Sequence, residues 1–301
     1  CMGGERGAMT IRSMQEGDIP RVGEIMVTAF NDVFRRHGYP EPFPSAEVGI
    51  SLARGYLSLE PGQCFTASLY GQIVGSGFLH LRGSSAGIGP ITVDPTCQRN
   101  GIGRAIMQAV IDAGSQCRSL RLVQDSFNVV SFPLYTKLNF VVRGTAASLV
   151  GHEIHAARVV SVEIREWTAQ DIGMVAALDT ELTGIERVQD FRYFLDQPPQ
   201  LIGFVAGKPA GYLCYLRTGA GTFLGPAAAT EQSVLRELIL RAAELEQGKA
   251  LRLRFPTRHA ELLQELLALG FQVESLQTYM VRGPWEVPPG VDLLALFPEA
   301  L

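Results

Sequence analysis

Apolar residues recur along the chain in two alternating periods, and the alternation predicts a mixed α/β protein. Thr10-Ile11-Arg12 begins a strand, and Gly17-Asp18-Ile19-Pro20 opens a helix that keeps Val22, Ile25, Met26 and Phe30 on one face. A polar, proline-rich stretch from Arg35 to Ser45 separates it from a second helix over roughly Ala46 to Leu57. Phe65 to Tyr70 and Ile73 to Leu81, joined by Gly71-Gln72, read as a hairpin. Gly87 to Val93 reads as a further strand that ends at Asp94-Pro95. Next come a helix carrying Ile106, Met107, Val110 and Ile111 on one side, a strand at Leu120 to Val123, a short helix at Val130 to Leu138, and a strand from Phe140 to about Val150.

The order then restarts. Ile164-Arg165 with Asp171-Ile172 mirrors Ile11-Arg12 with Asp18-Ile19 at an offset of 153. Gly207-x-x-x-Gly211 and Gly225-Pro226 mirror Gly71-x-x-x-Gly75 and Gly89-Pro90 at 136, and Leu269-Gly270-Phe271 mirrors Leu138-Asn139-Phe140 at 131. An ordered series with a shrinking offset implies a duplication at domain scale, since a solenoid would repeat every 20 to 50 residues. The expected layout is a leader or tag remnant (1–8), a first domain (9–150), a linker (151–160), a second domain (161–284) and a tail (285–301).

Composition narrows the function. With 301 residues, 47% of them hydrophobic and 19% charged, each half can bury a core. A formal net charge of −4 argues against a nucleic-acid partner. The five cysteines form no CxxC pair, which fits a reducing cytoplasm, and no apolar run is long enough to span a bilayer. His152-Glu153-Ile154-His155 has one residue too few between Glu153 and His155 for a zincin motif, so no metal is expected.

One segment carries chemistry. At Val93-Asp94-Pro95-Thr96-Cys97-Gln98-Arg99-Asn100-Gly101-Ile102-Gly103-Arg104 a strand stops at a proline and the chain turns into a helix. The first amides of a helix lack intrahelical acceptors and stand at the positive end of its dipole, a ready anion site. Glycine lets a phosphate approach the backbone, and Arg104 adds charge. The third glycine of a dinucleotide fingerprint and the lysine of a P-loop are both missing. Asn128-x-x-Ser131-x-x-Leu134-Tyr135 follows as a second polar group.

Val93-x-Pro95, Gln98-x-x-Gly101-x-Gly103, Asn128 to Tyr135 and Leu138-Asn139-Phe140 together resemble the GNAT acetyltransferases over about residues 9–150. The resemblance implies two tandem acyl-CoA N-acyltransferase folds, each a mixed, mostly antiparallel sheet flanked by helices. It implies that Gln98 to Arg104 hold the pyrophosphate of acetyl-CoA and that Ile91 to Val93 hydrogen-bond its pantetheine. It further implies that Asn128 touches the donor and that Tyr135 protonates the departing thiolate. Asn139 stands where the family usually has glycine. The implied reaction is direct attack by a small-molecule amine on the thioester. Asp32, His37, Glu41, Asp94 and Asp125 are the eligible bases, with Asp32 and His37 in the segment that borders the acceptor in that family. An acyl-CoA-responsive binding protein is the competing class, and a protein-lysine acetyltransferase a further one.

In the second half, Asn128 aligns with His259 and Tyr135 with Leu266, and the turn becomes Ala227 to Ser233, without glycine and with Glu231 facing the phosphate position. This copy is expected not to bind acetyl-CoA. Asp179-x-x-x-Thr183-Gly184-Ile185-Glu186-Arg187 and Phe223-Leu224-Gly225-Pro226 are similar to the C-terminal domain of tandem, YitH-like GNAT proteins. That similarity makes Arg187, Asp190 and Arg192 candidate acceptor contacts or, equally, solvated helix charges.

Overall fold

The structure is a computed structural model that describes residues 9–98, 100–156, 161–197, 199–219 and 221–295. The expected leader, Arg99 and part of the expected linker lie outside the described residues. Contacts divide the chain into two compact units, one running to Leu81 and resuming over Ala86–Leu120, the other made of Arg82–Ser85 and the chain from Arg121 onward.

The first unit contains β1 (Thr10–Ser13), α1 (Ile19–Arg36), α2 (Ala46–Leu59), β2 (Cys64–Leu69), β3 (Gln72–Arg82), β4 (Ser85–Val93), α3 (Ile102–Ala113) and the start of β5 (Ser119–Asp125). Its strands run in the order β1-β2-β3-β4, with β1–β2 and β2–β3 antiparallel. Tyr70 and Gly71, both at positive φ, form the tight turn between β2 and β3. Two glycines place α3. A Cβ on Gly75 would lie 2.7 Å from the Thr92 carbonyl oxygen, and one on Gly77 would overlap Ile106 and Ile91. Bare backbone on β3 therefore lets Ile102, Ile106, Met107 and Val110, all buried, settle directly on the sheet. Each such side chain contributes about 1.5–3 kcal/mol.

The second unit contains α4 (Ser131–Lys137), β6 (Val141–Gly151), β7 (Glu163–Glu166), α5 (Ile172–Thr183), α6 (Val188–Leu195), β8 (Leu201–Val205), β9 (Lys208–Thr218), β10 (Gly221–Ala229), α7 (Gln232–Leu245), β11 (Leu251–Pro256), α8 (Ala260–Ala268), β12 (Gln272–Arg282) and β13 (Val291–Leu293). Its strand order is β5-β12-β6-β11-β10-β9-β8-β7, with β13 on β10. The β10–β11 pair is parallel, whereas β9, β12 and β13 join their neighbours antiparallel. The segment expected as a tail thus carries a strand.

The duplication shows in bonded detail. Arg12 grips Asp18 with two hydrogen bonds of 2.6 and 2.8 Å, and Arg165 grips Asp171 at 2.9 and 2.7 Å. Each aspartate also accepts an amide three residues back, from Gln15 and Thr168. The Asp94 amide donates to the Val74 carbonyl at 2.8 Å, and the Thr230 amide to that of Ala210 at 2.8 Å, both pairs 136 residues apart. Gly89-Pro90 and Gly225-Pro226 are both cis.

The contact boundary is not the boundary of the repeat, because the repeats exchange their last strands. By the 131 offset β6 is the counterpart of β12. A self-contained second repeat would pair β11 with β12, yet β6 lies between them, with Gly151 opposite Leu251 and Ala146 opposite Pro256. Conversely, β12 meets the end of β5. The Ser126 amide donates to the Leu276 carbonyl at 2.9 Å, and the Ser126 and Thr278 hydroxyls are 2.8 Å apart.

Candidate functional site

In the first unit β4 ends at Val93, and Asp94 caps the short turn Pro95–Cys97 by accepting the Thr96 amide at 2.9 Å and the Thr96 hydroxyl at 2.6 Å. Arg21 from α1 holds the other carboxylate oxygen at 2.5 Å. Burial would push the Asp94 carboxyl up, but Thr96 and Arg21 together hold it below its usual range. The Asn100 side chain donates to the Cys97 carbonyl at 3.2 Å, and Gly101 takes φ +78°, the left-handed conformation that glycine adopts without strain. The helix starts at Ile102, so Gly101 alone makes the turn, while Gly103 and Arg104 belong to the first helical turn.

No side chain caps this helix. Among the described residues the amides of Ile102, Gly103 and Arg104 have no acceptor, and Arg104 is exposed without a carboxylate partner. Ile102 is buried, Gly103 half-buried, and Ile91, Val93 and Gln98 partly exposed. Three amides without acceptors at the positive end of a helix, with a guanidinium beside them, are an arrangement able to attract an anion.

Asn128 and Tyr135 lie in the second unit. The Asn128 side-chain oxygen accepts the Ser131 amide at 3.2 Å, so it caps α4, and the Ser131 hydroxyl donates to Gln124 Oε1 at 2.5 Å. Half-buried Tyr135 hydrogen-bonds the Ser131 hydroxyl, and burial pushes its phenol up to about 12 despite that bond. Asn139 adopts φ +64°, the left-handed turn position that asparagine tolerates and that Gly270 fills in the second repeat.

The eligible bases separate by their partners. Asp32 pairs with Arg36 at 2.8 Å and Glu41 with Arg35 at 2.8 Å, while His37 sits exposed with Nδ1 2.8 Å from the Val33 carbonyl. Asp94 serves as a cap. Asp125 differs: burial raises its pKa, with Arg254 and Gln277 only partly offsetting this. Sequence reasoning missed His80, 3% exposed on β3, whose Nε2 meets the Gly89 carbonyl at 2.8 Å and whose Nδ1 is 3.5 Å from Glu60. An isolated histidine in an alternating strand gives no signal of this pairing.

In the second repeat β10 runs to Ala229, and α7 starts at Gln232 after only Thr230 and Glu231, with Glu231 at its N-cap. Leu266 is fully buried, and His259 heads α8 with Nε2 3.0 Å from Asp292. Strand β11 pairs with β10 only at Thr222–Leu224, and β13 takes Ala227–Ala229. By the 136 offset those three residues are the counterparts of Ile91 to Val93. Arg187 and Asp190 are not solvated helix charges. Arg187 is 5% exposed and bound to Asp179 at 2.8 Å, and Asp190 is held by Arg82 at 2.7 Å. Arg192 is exposed.

Among the described residues there is no group of acidic, histidine or cysteine side chains able to hold a metal ion, and no helix is long and apolar enough to cross a membrane. Residues 22–140 match the acetyltransferase (GNAT) family and residues 175–290 an acetyltransferase (GNAT) domain. The chain is 27% identical over 239 residues to the uncharacterized N-acetyltransferase YitH of Bacillus subtilis, covering 77% of this chain and 82% of that protein. A Pyrococcus horikoshii crystal structure superposes with a TM-score of 0.77 at 21% identity, covering 97% of this chain and 95% of the other. A tandem GNAT protein from the clavulanic acid biosynthesis pathway gives 0.61 at 14% identity, covering 93% and 100%. With both repeats matched and the fold shared from end to end, the chain belongs to the GNAT acetyltransferase family and is an N-acetyltransferase built from two such domains in tandem.

Proposed function

We propose that the first repeat (9–150) binds acetyl-CoA as acyl donor and transfers the acetyl group to a small-molecule primary amine. The observation that carries this reading is the uncapped start of α3, where the amides of Ile102, Gly103 and Arg104 face outward behind Gly101. A diphosphate collects several charge-assisted bonds there, each on the order of 1.5–3 kcal/mol. Gln98 and Asn100 flank this turn, with Arg99 between them in the sequence, and Ile91 and Val93 supply backbone for the pantetheine arm. The second repeat (161–284) lacks the turn, has Glu231 at the helix start and lays β13 along the equivalent strand edge. All three features support its being closed to acetyl-CoA.

In the proposed step the neutral amine nitrogen attacks the thioester carbon, the C–S bond breaks, and the ammonium proton passes to a base. Asp125, whose burial raises its basicity, is the member of the eligible set suited to take it. Tyr135 stays protonated throughout the working range, since burial raises its pKa to about 12. Full transfer from such a phenol to a thiolate whose conjugate acid lies near 8.5 is uphill by about 5 kcal/mol. Its role is therefore to donate a hydrogen bond to the departing sulfur while the thiolate forms, with the Ser131 hydroxyl turned from Gln124 to donate to the phenol oxygen and so orient it. Asn128 serves by capping α4, which fixes the helix bearing Tyr135.

Titrating the chain calorimetrically with CoA tests the donor site: saturable heat is expected, and its absence discards the reading. Screening amines for CoA release from acetyl-CoA tests the transfer, and tight donor binding without turnover across the panel would instead favour an acyl-CoA sensor.

A further inference from the structure

The second unit contains a cavity of about 290 Å³ where strands of the first repeat meet the second repeat. It lies against β13, on the side bounded by the loop between α5 and α6 and by the end of β11. Four arginines line it: Arg121 from β5, Arg143 from β6, Arg187 and Arg258. Two are neutralised, Arg187 by Asp179 and Arg258 by Asp292. The other two are not. Among the described residues no carboxylate lies within ion-pair distance of Arg121 or Arg143. Arg121 reaches the Tyr279 hydroxyl, yet its Nε is shut off from solvent and has no acceptor. The Arg143 guanidinium stands 5.7 Å from the centre of the Trp285 ring, at the exposed rim.

Two guanidiniums without counter-charge, beside a half-buried indole and apolar walls from Ile185, Pro256 and Leu293, describe a receptor with one anionic end and one flat apolar side. Guanidinium geometry matches an oxyanion bidentately, and a buried cationic donor without an acceptor is costly until something supplies one. A volume of this size suits a small molecule. The one carboxylate in the lining, Asp292, is already held by Arg258 and His259, so an ammonium group would meet two uncompensated positive charges. We infer that the second unit, where the last strands of the first repeat meet the second repeat and β13 fills the latter's acyl-CoA edge, has become a binding site for a small planar oxyanion, lodged between Arg121, Arg143 and Trp285. The inference does not rest on the proposed donor site of the first repeat.

The chain has two tryptophans, and Trp167 is buried in another core. A Trp167→Phe background therefore leaves Trp285 as the reporter. Full-length protein is titrated with benzoate, phenyl phosphate, benzamide and benzylammonium while Trp285 fluorescence is followed. Saturable binding of benzoate or phenyl phosphate at least tenfold tighter than the neutral amide or the cation supports the site, and the tighter anion names its chemistry. Arg143→Met, at an exposed position that should leave folding intact, is expected to weaken that anion at least tenfold, and Arg121→Met with Arg143→Met to abolish it. Equal binding of benzoate and benzamide, no saturation by either anion, or an Arg143→Met protein that binds like its parent would overturn the inference. Calorimetric CoA binding, measured on the same variants, should not change.

Discussion

Replacing Arg104 by glutamate separates the two roles that the start of α3 could play. Arg104 is the third residue of the helix, exposed, with no ion-pair partner among the described residues. A carboxylate at this position can fold back onto the free amides and lies at the positive end of the dipole, so the fold should gain about 0.3–1 kcal/mol. The same carboxylate occupies the anion receptor. Losing the guanidinium removes one charge-assisted bond of about 1.5–3 kcal/mol, and the new charge adds roughly 1 kcal/mol of repulsion in a solvated setting. CoA affinity should therefore fall by about two to three orders of magnitude, while the melting temperature holds or rises by a degree or two. Arg104→Met, which lacks the repulsion and the cap, should lose only about 10- to 100-fold. Calorimetry with CoA and a thermal melt on the same samples read both signs. An Arg104→Glu protein that binds CoA within threefold of the parent would refute the receptor, whereas a melting temperature several degrees lower would show that Arg104 holds the fold instead. The second repeat already carries the natural counterpart of this variant, with Glu231 at the start of α7.

Tyr135→Phe should lower kcat by about 10- to 100-fold through loss of the donor to sulfur, with the KM for acetyl-CoA within twofold; an unchanged kcat in steady-state assays removes the role. Stability should fall in acid through Glu246. Burial opposes its ionisation, but hydrogen bonds from Arg217, Lys249 and Thr222 outweigh this and depress its pKa from 4.5 to about 2. Its contribution of about 3 kcal/mol is thus complete above pH 4.5 and lost as pH falls towards 2. Urea midpoints of the parent and Glu246→Gln should accordingly converge across that window, and a constant gap between them would contradict the assignment. Gly77→Ala forces a Cβ into Ile106 and Ile91 and should cost about 1–3 kcal/mol in a denaturant melt, with no loss if α3 can lift off β3 freely. Fragments 9–151 and 161–295 should each fail to melt cooperatively alone and should recover a cooperative transition when mixed. A cooperative melt of 9–151 by itself would contradict the strand exchange.

Much of this protein is legible in its sequence because the relevant signals are local. The spacing of Val22, Ile25 and Met26 marks α1, the Gly71 turn marks the β2–β3 hairpin, and the Pro95-to-Gly101 run announces a helix whose first amides are bare. The duplication was equally open, since Arg12–Asp18 and Arg165–Asp171 keep their spacing as well as their bonds. What stayed hidden depends on partners far apart in the chain. No periodicity tells that Arg187 closes on Asp179 instead of pointing to solvent, or that His80 reaches the Gly89 carbonyl.

The strand exchange is hidden for a sharper reason. β6 and β12 are equivalent strands with equivalent neighbours, so a pattern of apolar and polar positions that fits β6 to its own repeat fits it to the other repeat as well. Only the register, Gly151 opposite Leu251 and Gln272 opposite Val150, discloses which pairing the chain adopts. That choice has a functional corollary. With β6 built into the sheet beside β11, the second repeat cannot be discarded after losing its glycine turn, because it supplies strand partners that residues 126 to 151 of the first repeat need. A repeat retained for structural reasons keeps its cleft, and the filling of one edge of that cleft by β13 leaves on the other side the arginine-lined cavity beside Trp285.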